Sequence, residues 1–410
     1  MRLILAGAMA AAAMIHPASA QVRRFILGTG PIAPGAIAVA PTHVYADGYG
    51  YEPDGTALFS IAAAPGNYRV TVTIGLPNEA TETTIKAESR RLMVDALKVG
   101  AGRHDTVSFI VNVRDAKLAP PPVNAPGGSH VLLKPREQDS FTWDDKLTLE
   151  VLGAHPGVTA IAIEPVTVPT VFLLGDSTVT DQPAEPAASW GQMLPVFFSP
   201  DIAIANHAES GETMKSFMTE LRLAKVLELA RPGDWALIQF GHNDQKANWP
   251  QTYAAADTTY RDYLRTWIAE FRRRGVTPVL VTSPERRFWT GTAIRPTLGD
   301  YAAAMKAVGA ELKVPVVDLN AMSTTFYQAL GPGRAPLAFN DGGKDATHHD
   351  NYGAWVLARC VAKGLADAKL PLAGHLKPGL APFDPGQPPD PASFRLAPSI
   401  AHDARRPDGN

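Results

Sequence analysis

Two kinds of apolar spacing divide the chain. Along Asn67–Ile74 apolar and polar residues alternate, so Tyr68, Val70, Val72 and Ile74 share one face of an extended segment and Arg69, Thr71 and Thr73 the other. Thr106–Val113, Leu147–Val151 and Thr159–Ile163 keep the same period, with Gly, Pro and Asp between them. A period of two broken by frequent turn residues predicts strands, and several such strands predict an all-β sandwich over 21–166. Pro120–Pro122 and Pro126–Gly128 fall in one loop of that sandwich.

From about residue 169 the spacing changes. Thr170–Leu174, Ile202–Ile204, Trp235–Phe240, Pro278–Val281 and Pro315–Asp318 are short apolar runs. Longer stretches with helical spacing separate them: Ser216–Ala230 carries Phe217, Leu221, Ala224 and Leu227, and Tyr253–Arg274 carries Tyr260, Leu264, Trp267 and Phe271. Buried strands alternating with helices predict a doubly wound, flavodoxin-like parallel α/β sheet over 167–370. Such a sheet places its functional residues at the carboxyl ends of its strands. The stretch 371–410 is rich in Pro, Asp and Gly without a period, and reads as an extended or disordered tail.

The first twenty residues change where the protein is expected to work. Arg2 is followed by an apolar run and by Ala18-Ser-Ala20, the pattern of a signal peptide cut before Gln21. The mature chain is therefore expected in the periplasm or outside the cell. No later run is long and apolar enough to span a bilayer. A net charge of −2 on 410 residues argues against a nucleic-acid partner. No obligatory protein partner is implied. The single cysteine, Cys360, falls in an apolar helical pattern and reads as a buried small hydrophobe. Gly28-Thr-Gly-Pro-Ile-Ala33 matches a loose dinucleotide-binding pattern, but Pro31, Pro34 and Gly35 break the helix that such a site needs, so no nucleotide cofactor is expected.

Four blocks of the α/β part then stand out. The first strand runs into Gly175-Asp-Ser-Thr178, the second into Asn206-His-Ala-Glu-Ser-Gly211, and the third into Gly241-His-Asn-Asp244; Asp345-Ala-Thr-His348 precedes the last helix. Singly, each has a bland explanation: Ser177 and Asp345 as helix caps, Gly211 and Asn243 as turn residues. Together they deliver polar residues to one rim of one sheet. In this order and placement the chain resembles the SGNH (GDSL-like) hydrolase superfamily, matching its Ser, Gly, Asn and His at Ser177, Gly211, Asn243 and His348. Gly-Asp-Ser-Thr, Trp190-Gly-Gln192, Gly-His-Asn-Asp, Ser283–Phe288 and Asp-Ala-Thr-His make it most similar to rhamnogalacturonan acetylesterases over residues 169–368. The N-terminal sandwich resembles galactose-binding-like modules.

That resemblance implies a carbohydrate O-acetylesterase with Ser177, Asp345 and His348 as its catalytic triad. Serine needs an imidazole to take its proton, and the imidazole needs an aspartate to fix its tautomer. The oxyanion donors would be the backbone N–H groups of Ser177 and Gly211 and the side-chain amide of Asn243. Arg286 and Arg287 lie beyond the fourth strand, where they could meet a uronate carboxylate or stand as a solvated charge pair; His242 either lines the site or supports it. Asp345, His348, His349 and Asp350 also form a candidate metal cluster, but adjacent histidines point apart and no metal-binding spacing supports it, so no metal is expected. The implied partner is an acetylated polysaccharide or oligosaccharide. Esters of other glycans or small acyl esters are the alternative substrates, and a non-catalytic carbohydrate-binding protein is the alternative class. Because all four blocks lie beyond Pro165, the α/β part is expected to fold and act alone.

Overall fold

The alternation read from the sequence becomes two facing sheets, antiparallel except where β1 and β2 run parallel. The computed structural model describes residues 22–28, 34–53, 57–403 and 406–407; residues 1–20, read above as a signal peptide, and residues 29–33 of the glycine-rich segment lie outside them. The sandwich strands are β1 (Arg23–Leu27), β2 (Ile37–Val39), β3 (Tyr49–Tyr51), β4 (Leu58–Ala62), β5 (Gly66–Ile74), β6 (Thr81–Ala87), β7 (Arg91–Val99), β8 (Asp105–Val113), β9 (Lys146–His155) and β10 (Val158–Pro165). They pair in the orders β2-β1-β10-β5-β8 and β3-β4-β9-β6-β7. Val70, Val72 and Ile74 of β5 point inward against Phe59, Ile61, Ile85, Leu147 and Leu149 of the facing sheet, as the alternation requires.

The second half alternates β11 (Thr170–Gly175), α1 (Trp190–Met193), β12 (Ala203–Asn206), α2 (Met214–Thr219), α3 (Arg222–Leu229), β13 (Trp235–Gln239), α4 (Thr259–Arg273) and β14 (Thr277–Val281). A short hairpin follows, β15 (Trp289–Thr290) with β16 (Ala293–Ile294), and then α5 (Gly299–Leu312), β17 (Val316–Val317), α6 (Leu319–Arg334) and α7 (Asn351–Asp367). Strands order as β12-β11-β13-β14-β17, all parallel. The order reverses at β11, so the crevice outside the carboxyl ends of β11 and its neighbours is the expected ligand position. One apolar core lies under α1, α6 and α7, where Cys360 is buried, and another under α2–α5.

The structure departs from the pattern in three places. Ser216–Ala230 is not one helix: Leu221 adopts a left-handed φ of 63° between α2 and α3. The break re-phases the second helix, so Leu223 and Val226 are buried while Ala224, expected inside, is exposed. The tail is extended but held. Ser399 N–H donates to Glu185 Oε1 at 3.0 Å and Ile400 N–H to Glu150 Oε1 at 2.9 Å, and Phe394 packs against Tyr352 and Trp355.

The third departure is how tightly the halves are joined. The β6–β7 turn enters the α/β half: Arg90 Nη1 donates to the carbonyls of Gln182 (3.1 Å) and Ala187 (2.9 Å), and Arg91 Nε to Asp181 Oδ2 at 2.6 Å. Leu92 joins the core under α1 and α7. Asp181 and Arg91 are both almost wholly buried, and removing one partner of such a pair strands the other charge in the interior. The expectation that the α/β half is self-sufficient is therefore revised: a chain cut at Pro165 leaves buried Asp181 facing no arginine and part of its core uncovered.

Candidate active site

β11 is buried from end to end and breaks sharply at Gly175. A Cβ there would lie 2.5 Å from Val179 Cγ2 and 2.8 Å from the Gln239 carbonyl, so only glycine lets the chain turn this closely. Asp176 then holds the turn, accepting the Thr178 N–H at 3.0 Å and the Thr178 hydroxyl at 2.8 Å. Gln182 Nε2 donates to the Ser177 carbonyl at 2.7 Å, and Gln192 Nε2 to the Gln182 carbonyl at 2.9 Å. Trp190 Nε1 donates to Gln239 Oε1 at 2.7 Å. Trp190-Gly-Gln192 is thus a platform beneath the Ser177 turn.

Ser177 Oγ lies 2.8 Å from His348 Nε2, and His348 Nδ1 lies 2.8 Å from Asp345 Oδ2. The second oxygen of Asp345 accepts the N–H groups of Thr347 (2.8 Å) and His348 (3.1 Å). Burial by itself would raise the Asp345 carboxyl, but the hydrogen bond and charge of His348, with the two N–H groups, hold it well below the usual carboxylate range. His349 turns the other way: its Nε2 lies 2.7 Å from the Tyr327 hydroxyl, and its ring packs on Phe339. Among the described residues no group of three His, Cys, Asp or Glu is disposed to hold a metal ion.

The other side of Ser177 is formed by the loops after β12 and β13. Gly211 has φ +78°, a conformation side chains rarely adopt. Asn243 is buried, its Nδ2 donating to the Glu212 carbonyl at 3.0 Å and its Oδ1 accepting from Lys246 Nζ at 3.0 Å. An amide nitrogen carries two hydrogens, so one is left for a further acceptor. Asp244 takes the Met214 N–H at 2.9 Å and so ties this loop to α2; burial pushes its carboxyl up to about 7.

His242 stands behind the serine turn, its Nδ1 3.3 Å from Asp176 Oδ2, and its buried Nε2 meets no partner among the described residues. Burial lowers this imidazole against the pull of Asp176. Arg286 and Arg287 reach the rim, where neither stands as a solvated charge. Arg286 donates to the His242 carbonyl at 3.0 Å and to Thr297 Oγ1 at 3.3 Å. Arg287 donates to the carbonyls of Gly343 and Asp345, the latter at 3.2 Å, with its guanidinium over the Phe339 ring. Two contributors escaped the sequence reading. Lys246 sits three residues after Asn243, a spacing that could have been noticed, whereas Gln182 is placed only by its contact with the Ser177 carbonyl.

A parallel sheet carrying serine, histidine and aspartate in hydrogen-bonded line at its carboxyl rim is the architecture of an SGNH-type ester hydrolase. The chain belongs to the GDSL-like lipase/acylhydrolase family, whose model matches residues 173–356. It is 41% identical over 220 residues, half of this chain and 93% of the relative, to the rhamnogalacturonan acetylesterase RhgT of Bacillus subtilis. A probable rhamnogalacturonan acetylesterase of the same organism, YesY, is 36% identical over 49% of this chain and 94% of its own. The uncharacterized esterase YxiM of Bacillus subtilis is 25% identical over 86% of this chain and 92% of its own.

Proposed function

We propose that this chain is a carbohydrate O-acetylesterase that removes acetyl groups from rhamnogalacturonan in pectin, outside the cytoplasm. The observation that carries the reading is the line from Ser177 Oγ to His348 Nε2 to Asp345 Oδ2, with 2.8 Å at each step. Ser177 Oγ attacks the acetyl carbonyl carbon while its proton passes to His348 Nε2. The oxyanion is held by the N–H groups of Ser177 and Gly211 and by Asn243 Nδ2. As the tetrahedral intermediate collapses, the bond to the sugar oxygen breaks and that oxygen takes the proton from His348. Water, deprotonated by His348, then attacks the acetyl-serine and releases acetate. Asp345, ionised throughout, keeps the imidazole in the tautomer that faces Ser177. No step uses a metal or a nucleotide.

The polymer is inferred from the two relatives named for rhamnogalacturonan, and export from the leader-like sequence of residues 1–20. Arg286 and Arg287, engaged by loop carbonyls, serve in this reading as braces of the His242 and Asp345 loops, ahead of any part in binding a uronate. The experiment is acetate release from acetylated rhamnogalacturonan, acetylated xylan and p-nitrophenyl acetate, with and without EDTA. The expected result is the highest kcat/KM on rhamnogalacturonan, with EDTA changing nothing. A preference for xylan would transfer the chain to another acetylated glycan, and no turnover of any ester would leave it a binding protein.

A further inference from the structure

The loop 114–145, which leaves the sandwich after β8, reaches across to the second half. We infer that Lys134 on this loop is a positioning residue for the oxyanion side of the active site, so that the N-terminal half completes the machinery of the C-terminal one. The inference rests on the proposed role of Gly211 as an oxyanion donor.

Lys134 straddles Gly211. Its ammonium donates to the carbonyl of Ser210 and pairs with Glu212 Oε1 at 2.6 Å. The Ser210 carbonyl and the Gly211 N–H belong to one peptide plane, and in a trans peptide they point in opposite directions. Holding that carbonyl on the Lys134 side therefore aims the Gly211 N–H away from Lys134. Glycine at φ +78° has little of its own to resist a flip of this plane, so an external hold is needed. A cation on the carbonyl also polarises the amide and strengthens its N–H as a donor. On the other flank, Glu212 is wholly buried and its own carbonyl takes Asn243 Nδ2 at 3.0 Å. One ammonium thus fixes the residues on both sides of Gly211 and, through Glu212, the amide of Asn243.

Lys134 is itself anchored. Its N–H donates to Glu137 Oε2 at 2.9 Å, and Glu137 is gripped by Arg222 at 2.6 and 3.0 Å and by Trp143 Nε1 at 2.9 Å. Arg136 Nε donates to Glu209 Oε1 at 2.6 Å, adding a second tie to the same loop. Half of this chain accounts for 93% and 94% of the length of the two rhamnogalacturonan acetylesterases. Lys134 lies in the N-terminal half of this chain, outside the family match at residues 173–356.

The test is Lys134→Met, which keeps the aliphatic stem and loses the ammonium, beside Lys134→Arg, which keeps the charge. Both are assayed on p-nitrophenyl acetate and with a trifluoromethyl ketone, whose hemiketal oxyanion needs the same donors. The methionine variant is expected to lose about tenfold to a hundredfold in kcat, short of the loss of a whole oxyanion donor. KM should stay within about twofold, affinity for the ketone should fall in parallel with kcat, and arginine should restore much of both. Unchanged kcat and ketone affinity in the folded methionine variant would overturn the inference, as would a pure KM effect. If that variant does not fold, Lys134→Gln is read by the same two quantities. Ser177→Ala runs beside it: activity retained there would sink the serine reading itself, which separates that failure from a failure of Lys134.

Discussion

A single amide shows how the site depends on side-chain chemistry. Asn243 donates one N–H to the Glu212 carbonyl and accepts from the Lys246 ammonium on its oxygen, which fixes the orientation of the amide before any substrate arrives. Donors held in place beforehand cost no reorganisation when charge develops on the substrate. Asn243→Ala should therefore lower kcat by about 10²–10³ with little change in KM, measured on p-nitrophenyl acetate. A change confined to KM would show instead that Asn243 holds the ground-state substrate. The hydrogen-bonded line of Ser177, His348 and Asp345 was foreshadowed in the sequence because each residue sits in a short block at a strand or helix edge, as do Gly211 and Asn243, the proposed oxyanion donors. Lys134 and Gln182 were not, since a lysine or glutamine far along the chain carries no local mark of the carbonyl it will meet. The two arginines were legible as rim residues but not as braces, because their partners are backbone atoms of other loops.

At the scale of elements, the β6–β7 turn joins sandwich chemistry to the sheet. Glu88 and Arg90 both adopt left-handed backbone angles there, and Glu88 is buried with Thr148 N–H donating to it at 3.1 Å. Burial pushes the Glu88 carboxyl up to about 8 even with Arg91 and the Thr148 region drawing it down. A carboxyl raised in the fold binds its proton more tightly there than in the unfolded chain. Its contribution is therefore fully present below the ordinary glutamate range and is lost as pH rises through about 8. Glu88→Gln, which keeps the shape without the charge, should leave urea stability near pH 5 almost unchanged. At pH 9 it should be more stable than the parent by on the order of 4–5 kcal/mol, the rise from 4.5 to about 8 taken at about 1.4 kcal/mol per pKa unit. An equal difference at both pH values would show that Glu88 is ionised in the fold. Strand periods were readable because one face of each sheet is buried. The break at Leu221 was not, because Arg222 is drawn to Glu137 and Lys225 to Asp115, both on the distant loop, and local spacing contains neither.

Across the whole molecule, two halves with different periodicities form one interlocked body, and the C-terminal stretch seals the seam. Lys86 of β6 donates to Glu185 Oε1 at 3.2 Å, to the Ala397 carbonyl at 3.0 Å and to Ser399 Oγ at 2.7 Å, so sandwich, α/β half and tail meet on one buried ammonium. The two fold classes were legible because hydrophobic periodicity is a local property. Their union was not, since buried ion pairs and an aperiodic segment leave no period to read. Ser177 is the proposed nucleophile of an acetyl transfer, and rapid quenching with peptide mass mapping tests that role most directly. Mixed briefly with p-nitrophenyl acetate and quenched in acid, the protein should carry one acetyl group, on the peptide containing Ser177, formed and lost at rates that account for turnover. Turnover with no acetyl-protein, or with the group on any other residue, would contradict it.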